Sequence, residues 1–307
     1  MTSTLVIGTA VTALSAVTGC AGNTRTTAQH AAARPAGDLP RDLTRAEQGR
    51  LEQAEELLIQ RCMQHKGFRY QVPARIDADT DHAFTYRLVQ DDVAWAREHG
   101  YGEQLRRAFF KAKEREEIAA RRQHMTSAEH ERFTSALQGG PDTPTLSARL
   151  PAGGTVRTLN GGCTRAARDD LYGDAKAWFH ADKIATNLTA VYLPKVMSDP
   201  RFTAALKMWS RCMQDMTGHR YPDPDTARAD TRQRTAKLGA VQAHTLEVEV
   251  AVAEATCART TSLPATLSRL DREYGAPVRE QYAEEIAACN RMKLAALQRA
   301  DLLEDRD

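Results

Sequence analysis

The sequence predicts a mainly α-helical, bundle-like domain that carries one small β-hairpin and is pseudo-duplicated and disulfide-stapled. Three observations support this fold class. Aromatic residues make up only 6% of the 307-residue chain, while Ala-rich and Glu/Arg-rich stretches with high helix propensity dominate it. Apolar residues recur at helical spacing behind residues that cap helices. A short frame around a cysteine occurs twice, which indicates an internal duplication.

The chain opens with a short apolar run that predicts export. Residues 5–17 carry no charge and are too few to span a bilayer, but they suit the core of a signal peptide. The following Val17-Thr18-Gly19-Cys20 resembles a bacterial lipobox. We therefore expect residues 1–19 to be removed and Cys20 to carry the lipid. Residues 1–4 lack the Lys or Arg typical of export signals, so a buried apolar helix or a plain secretory signal is the alternative.

The segment after the lipobox predicts a flexible tether between lipid and domain. Residues 20–42 are rich in Ala, Thr, Gly, Asn and Pro and contain few large apolar groups. A diacylglyceryl cysteine supplies the two acyl chains that stable anchoring requires. The expected location is therefore the outer face of the cell membrane. Residues 43–307 form the predicted helical extracytoplasmic domain, with possible halves 43–198 and 199–307.

The repeated frame reads R-C-M-Q, a short spacer, then G-x-R-Y. It occupies residues 61–70 and returns at 211–221 with one additional spacer residue. Each copy is predicted to close an amphipathic helix, and its glycine, Gly67 or Gly218, is predicted to end that helix in a left-handed turn. A capping box of Thr44 and Glu47 opens the first of these helices, and Asp199 with Pro200 opens the second.

The cysteines predict two equivalent disulfides. Each repeat is followed by a second cysteine in a Cys-x-Arg frame, at Cys163 and at Cys257. The four cysteines allow three pairings, and the repeat favours Cys62–Cys163 and Cys212–Cys257. Wide cysteine spacing outside the cytoplasm is typical of structural disulfides. Cys289 is left over on the apolar face of the last helix, where we expect a buried, inert free thiol.

Hydrophobic periodicity and turn signals divide the rest of the domain. Gly100 separates two predicted helices, and a second capping box, Thr126 with Glu129, opens the next. Strand-like residues around Pro-Ala-Gly-Gly predict the hairpin, with strands at 145–150 and 155–159. Predicted helices occupy residues 89–99, 101–124, 126–138, 163–172, 235–259 and 277–303, and a further helix follows Asp174.

The helix-closing C-M-x-x-x-G motif, the lipobox and a Val/Ala/Glu-rich helix ending in cysteine together resemble uncharacterised actinobacterial lipoproteins. Residues 247–257, Glu-Val-Glu-Val-Ala-Val-Ala-Glu-Ala-Thr-Cys, carry this resemblance most clearly. It covers most of the mature chain through moderately specific motifs. The resemblance implies a helical, disulfide-bonded protein of the cell surface, and it brings no known activity.

Metal and cofactor motifs are weak, so no cofactor and no metal are predicted. Residues 77–82 begin like a calcium loop, but the sixth and twelfth positions hold His82 and Leu88 instead of glycine and glutamate. A solvated acidic loop is therefore expected there. Cys62, Met63 and His65 form a patch of soft ligands that suits copper, but a disulfide at Cys62 would remove the thiolate.

The charge distribution and the absence of catalytic motifs limit the classes of function that we expect. Net charge is only +2, with 42 basic and 40 acidic residues interspersed, so no nucleic-acid partner is predicted. No nucleophile elbow or phosphate loop occurs. We therefore expect a non-enzymatic binding or scaffold lipoprotein that engages an envelope protein or a wall component. The alternative is an envelope enzyme, such as a wall-acting hydrolase whose carboxylates converge only in the fold. A small-ligand or redox sensor would need Cys289 exposed in a basic pocket.

Overall fold

The computed structural model describes residues 40–73, 76–85, 88–121 and 126–304, so the predicted signal peptide, Cys20 and most of the tether lie outside the described residues. The described chain is mainly helical, as the sequence predicts. Its helices are α1 (Arg45–His65), α2 (Ala78–Phe84), α3 (Val93–His99), α4 (Glu103–Arg121), α5 (Ser127–Gln138), α6 (Gly162–Tyr172), α7 (Ala175–Ala185), α8 (Thr189–Ser198), α9 (Pro200–Thr217), α10 (Pro224–Thr235), α11 (Ala240–Thr260), α12 (Leu263–Gln281) and α13 (Ala283–Glu304).

The predicted hairpin is present between α5 and α6. Its strands are β1 (Thr145–Arg149) and β2 (Thr155–Leu159), and they pair antiparallel with Thr145 opposite Leu159. Pro-Ala-Gly-Gly supplies the turn, where Gly153 and Gly154 both adopt positive φ. The hairpin contacts α7, so it covers one helix of the domain.

Helix starts follow the predicted capping residues. Thr44 and Glu47 form a complete capping box before α1, because each side chain accepts a hydrogen bond from the other residue's backbone. Asp199 caps α9 and accepts a hydrogen bond from Arg201 N, with Pro200 at the first helical position. Gly218 then ends α9 in the left-handed conformation. These ends confirm the predicted boundaries of both repeat helices.

The predicted final helix, 277–303, is wrong in its start. Pro277 lies inside α12, and α13 begins only at Ala283. Proline removes one backbone donor, but its fixed φ is compatible with a helix. The packing of α12 against α8 and α9 therefore carries the helix through Pro277, and the chain breaks at Tyr282 instead.

The acidic segment 77–82 is also not the predicted loop. Asp77 caps α2 by accepting a hydrogen bond from Thr80 N. Asp79 and Asp81 lie in the first turn of α2, where negative charges interact favourably with the helix dipole.

Two other helices start later than predicted. Asp92 caps α3, so that helix begins at Val93 instead of residue 89. The helix predicted from residue 235 begins at Ala240, after Gly239.

The described residues belong to one compact unit with two groups of helices. In one group, α1 packs against α6 and α13, while α7 packs against α13. In the other, α9, α10 and α3 contact α11, and α8 and α9 contact α12. The last helix, α13, thus packs with α1, α6 and α7, and α3 packs with α11 in the other group. The packing does not follow the possible halves 43–198 and 199–307.

Two disulfides link helices at the predicted cysteine pairs. Cys62 of α1 is bonded to Cys163 of α6, and Cys212 of α9 is bonded to Cys257 of α11, each with a Cα–Cα distance of 5.6 Å. The two bridges differ in one respect. Cys163 lies at the beginning of α6, whereas Cys257 lies near the end of α11, so the duplication is confined to α1, α9 and the segments that follow them.

The repeated frame forms the same local structure twice. The residue two positions before the cysteine donates a side-chain hydrogen bond to the carbonyl of the repeat tyrosine. Gln60 Nε2 donates to Tyr70 O at 3.0 Å, and Ser210 Oγ donates to Tyr221 O at 2.5 Å. The methionine after each cysteine is fully buried. In both copies this hydrogen bond holds the segment after the helix against that same helix. The repeated sequence therefore has a structural role.

Cys289 is a free cysteine of α13, with only 1% of its surface exposed. Burial raises the pKa of its thiol. A buried thiol of raised pKa is a poor nucleophile, so the structure places Cys289 as the sequence predicts. No helix in the described part of the chain is long and apolar enough to cross a membrane.

Candidate functional site

A cavity of about 430 Å³ lies where α2, α3, α4, α10 and α11 meet. We call it the α11 cavity, because the buried polar groups behind it belong to that helix. Its volume falls in the usual range of small-molecule sites. Aromatic and charged side chains dominate its wall. The lining residues are His82, Ala83, Phe84, Thr85, Gln90, Trp95, Tyr101, Glu103, Arg106, Asp225, Arg228, Thr231, Arg232, Thr235 and Glu247.

Glu254, in the middle of α11, is fully buried, and its carboxylate accepts three hydrogen bonds. Its Oε1 accepts from Arg228 Nη2 at 2.7 Å and from Gln90 N at 2.7 Å, and its Oε2 accepts from Tyr101 Oη at 2.8 Å. Burial raises the pKa of this carboxyl, and Arg228 acts against that change. A buried, hydrogen-bonded ion pair of this kind fixes the geometry of the groups around it.

Glu247 lies two helical turns before Glu254 and is 6% exposed. Its Oε1 accepts from Tyr101 N at 2.8 Å and from Glu103 N at 3.0 Å, at the beginning of α4. A helix N-terminus favours a carboxylate at this position. Gly100 permits the approach, because it adopts φ +62° and a Cβ there would lie 2.8 Å from Glu247 Cγ.

Tyr101 joins the two glutamates. Its backbone N–H binds Glu247, its hydroxyl binds Glu254, and the guanidinium of Arg228 lies 5.6 Å from the centre of its ring. Burial and the neighbouring Glu254 carboxylate raise the pKa of Tyr101 well above its usual value. The hydroxyl therefore stays protonated and acts as a donor. This network holds the segment between α3 and α4 against α11.

Trp95 contributes an aromatic wall with an unsatisfied donor. Its indole ring stacks on His82, with ring centroids 4.2 Å apart. Its Nε1 is buried and has no hydrogen-bond partner among the described atoms. A buried donor without a partner is costly, and because this nitrogen has almost no accessible surface, Trp95 contributes its ring to the cavity wall and not its N–H.

The cations of the cavity differ in availability. Arg106 donates to the carbonyls of Ala83 and Tyr101 and to Glu103, and Arg228 is bound to Glu254. Arg232, by contrast, is exposed and forms no ion pair with any side chain that the structure describes. It is the guanidinium best placed to bind an anionic group of a ligand.

The cavity carboxylates are already engaged. Glu103 binds both Arg106 and Arg107, and these contacts hold its pKa below the usual range despite partial burial. Asp225 lies 3.9 Å from the Arg228 guanidinium. Glu247 accepts the two backbone N–H groups described above. Carboxylates that are engaged in this way suit ligand binding and preorganisation better than proton transfer to a substrate.

None of the predicted site residues that the structure describes lines this cavity. The four disulfide cysteines and Cys289 serve packing. In the patch of soft ligands that suits copper, Cys62 is bonded to Cys163 and Met63 is fully buried. No group of three or more His, Cys, Asp or Glu residues that could hold a metal ion is found in the described part of the chain.

The cavity residues were missed because they are far apart in sequence. Two signals pointed to them. Glu247 and Glu254 are seven residues apart, hence on one face, in a helix whose other buried residues are apolar. A Gly-Tyr-Gly sequence at 100–102 separates α3 from α4. Buried glutamates require donors, and a turn with positive φ at both glycines supplies backbone N–H groups.

Comparison with protein-family models, with curated proteins and with solved structures finds no significant match to this chain. The functional argument therefore comes from the site itself.

Proposed function

We propose that this protein is a non-enzymatic binding lipoprotein of the bacterial envelope, anchored through Cys20 and binding a wall-derived ligand in the α11 cavity. The lipobox-like sequence supports the anchor, and the two disulfides suit an oxidising extracytoplasmic compartment. The observation that carries the binding function is the preorganised cavity, with aromatic side chains and an available guanidinium in its wall.

The chemistry of the cavity fits a glycopeptide fragment of the cell wall. Such a fragment carries acetamido carbonyls that accept hydrogen bonds, apolar sugar faces that pack on aromatic rings, and carboxylates. The Trp95 ring would pack on a sugar face, and Arg232 would bind a carboxylate. We assign binding instead of hydrolysis, because the carboxylates at the cavity are engaged with arginines and backbone N–H groups.

The test is calorimetric titration of the full chain with a defined muropeptide, N-acetylglucosaminyl-N-acetylmuramyl-dipeptide. Arg232→Ala should weaken binding about tenfold or more, since a charge-assisted hydrogen bond is lost. Arg220→Ala is the matched control, because Arg220 is exposed and lies outside the cavity wall, and its affinity should equal that of the wild type.

Three results would overturn parts of this proposal. Absence of muropeptide binding removes the assigned ligand class. Equal weakening by Arg232→Ala and Arg220→Ala places the site elsewhere. Appearance of cleaved muropeptide in the same samples, detected by mass spectrometry, would favour the hydrolase alternative.

A further inference from the structure

Three phenylalanine rings form an exposed apolar surface beside the α11 cavity. We call this set, Phe84 of α2 with Phe109 and Phe110 of α4, the phenylalanine surface. Ring centroids are 5.0 Å apart for Phe84 and Phe109, and 5.6 Å apart for the two pairs that include Phe110. Phe84 is 37% exposed and Phe110 is 57% exposed. Single exposed apolar residues are ordinary, but a contiguous aromatic patch marks an interaction surface.

Basic side chains surround this surface. Arg107 and Lys113 lie three residues before and after Phe110 and so share its helical face. Lys111 and Arg115 are exposed on the same stretch, Arg107 also pairs with Glu103, and Glu114 lies between Lys113 and Arg115. Lys111, Lys113 and Arg115 form no ion pair with any side chain that the structure describes. Exposed aromatic rings within a basic rim match the interface of an anionic bilayer, where rings enter the headgroup region and cations bind lipid phosphates.

The start of the domain lies on the same side. Arg45, the first residue of α1, forms an ion pair with Asp81 of α2, one turn before Phe84. The chain before α1 includes the predicted tether, and a flexible chain of 20 residues has a root-mean-square span of about 25 Å. A lipid on Cys20 would therefore keep the domain within reach of the membrane, an argument that rests on the proposed anchor.

We infer that the phenylalanine surface, together with Arg107, Lys111 and Lys113, docks the domain onto anionic phospholipid. Phe84 also lines the α11 cavity, so this docking places the cavity next to the headgroup layer. The contact adds a second, reversible membrane attachment to the lipid anchor. It also orients the domain, which a tether alone does not.

The test is photo-crosslinking of the full chain mixed with vesicles that contain phosphatidylglycerol and phosphatidylethanolamine in equal amounts. Benzoylphenylalanine replaces Phe110 in one sample and Val241 in the other. Val241 is the matched control, because it is 80% exposed and lies on α11, outside the two helices that carry the phenylalanine surface. Crosslinking to lipid should be at least about tenfold stronger at position 110, and it should fall with salt.

Charge reversal separates docking from simple proximity. Lys111→Glu combined with Lys113→Glu should reduce the lipid crosslink at position 110 about tenfold, whereas Lys176→Glu, at an exposed position of α7 in the other helix group, should leave it unchanged. No lipid crosslink at 110, or an equal one at 241, overturns the inference. A crosslink at 110 to a second copy of the chain overturns it in favour of self-association. Muropeptide affinity of the double variant should equal that of the wild type, so failure of docking and failure of the binding proposal are distinguishable.

Discussion

At the scale of single residues, the molecule is governed by a few buried polar groups. Glu254 is enclosed by apolar and small side chains of α11 and its neighbours, yet it carries a carboxylate that Arg228, Gln90 and Tyr101 satisfy. Such groups cost free energy when any partner is removed. The same property makes the network rigid, which is what a preformed binding cavity requires.

Replacing Glu254 by Gln tests that network. The amide keeps the shape of the side chain but removes the buried negative charge that Arg228 binds at 2.7 Å. The free energy of unfolding should fall by about 3–5 kcal/mol, measured by urea denaturation. Glu249→Gln on the exposed side of the same helix is the control and should change it by less than about 0.5 kcal/mol. Similar values for both variants would show that the network contributes little to stability.

At the scale of elements, the disulfides tie helices that are distant in sequence. Cys62–Cys163 spans a sequence separation of 101, and Cys212–Cys257 spans 45. A crosslink that closes a longer loop restricts the unfolded chain more. α1 and α6 therefore depend on their bridge at least as much as α9 and α11 do.

Removing each bridge by paired Cys→Ser substitution should lower stability by about 4 kcal/mol for the shorter loop and slightly more for the longer one. Thermal unfolding of the two double variants beside the wild type measures this. Cys289→Ala, which removes the free thiol, keeps both bridges and serves as the comparison. An unchanged melting temperature in either double variant would contradict the structural role of that disulfide.

Features that depend on residues close together in the sequence could be predicted from it, and features that depend on tertiary packing could not. The Thr44–Glu47 box, the Asp199 cap and the hairpin turn each depend on residues within a few positions of one another. The sequence predicts a helix start at Pro277 because it does not show that α8 and α9 support α12 through this proline. The α11 cavity was missed for the same reason, since its wall combines five helices.

At the scale of the whole molecule, charge determines how stability depends on pH. A hydrogen bond from Arg41, with the backbone of Thr44, lowers the pKa of Glu47 from 4.5 to about 2. Arg201 lowers the pKa of Asp199, and Thr126 lowers that of Glu129. Each carboxylate contributes stability above its ordinary pKa and loses it as the pH falls towards the folded value. Glu254, whose pKa is raised by burial, opposes this trend in acid.

We therefore expect the urea midpoint to be nearly constant from pH 7 to about pH 5 and to fall between about pH 4.5 and pH 2. Glu47→Gln should show a smaller fall, because its titrating group has been removed. A midpoint that stays constant or rises down to pH 2 would show that the protonation of the carboxylates with lowered pKa values is not coupled to folding.

The proposed function requires the protein to be an exported, lipid-anchored and disulfide-bonded chain. The most direct test is mass spectrometry of the protein purified from its own cell envelope, with reduced and non-reduced peptide maps compared. We predict a mature N-terminus at Cys20 carrying a diacylglyceryl group, with Cys62 bridged to Cys163 and Cys212 to Cys257. A first peptide that begins at Met1, with all six cysteines as free thiols, would contradict the account and place the protein in a reducing compartment.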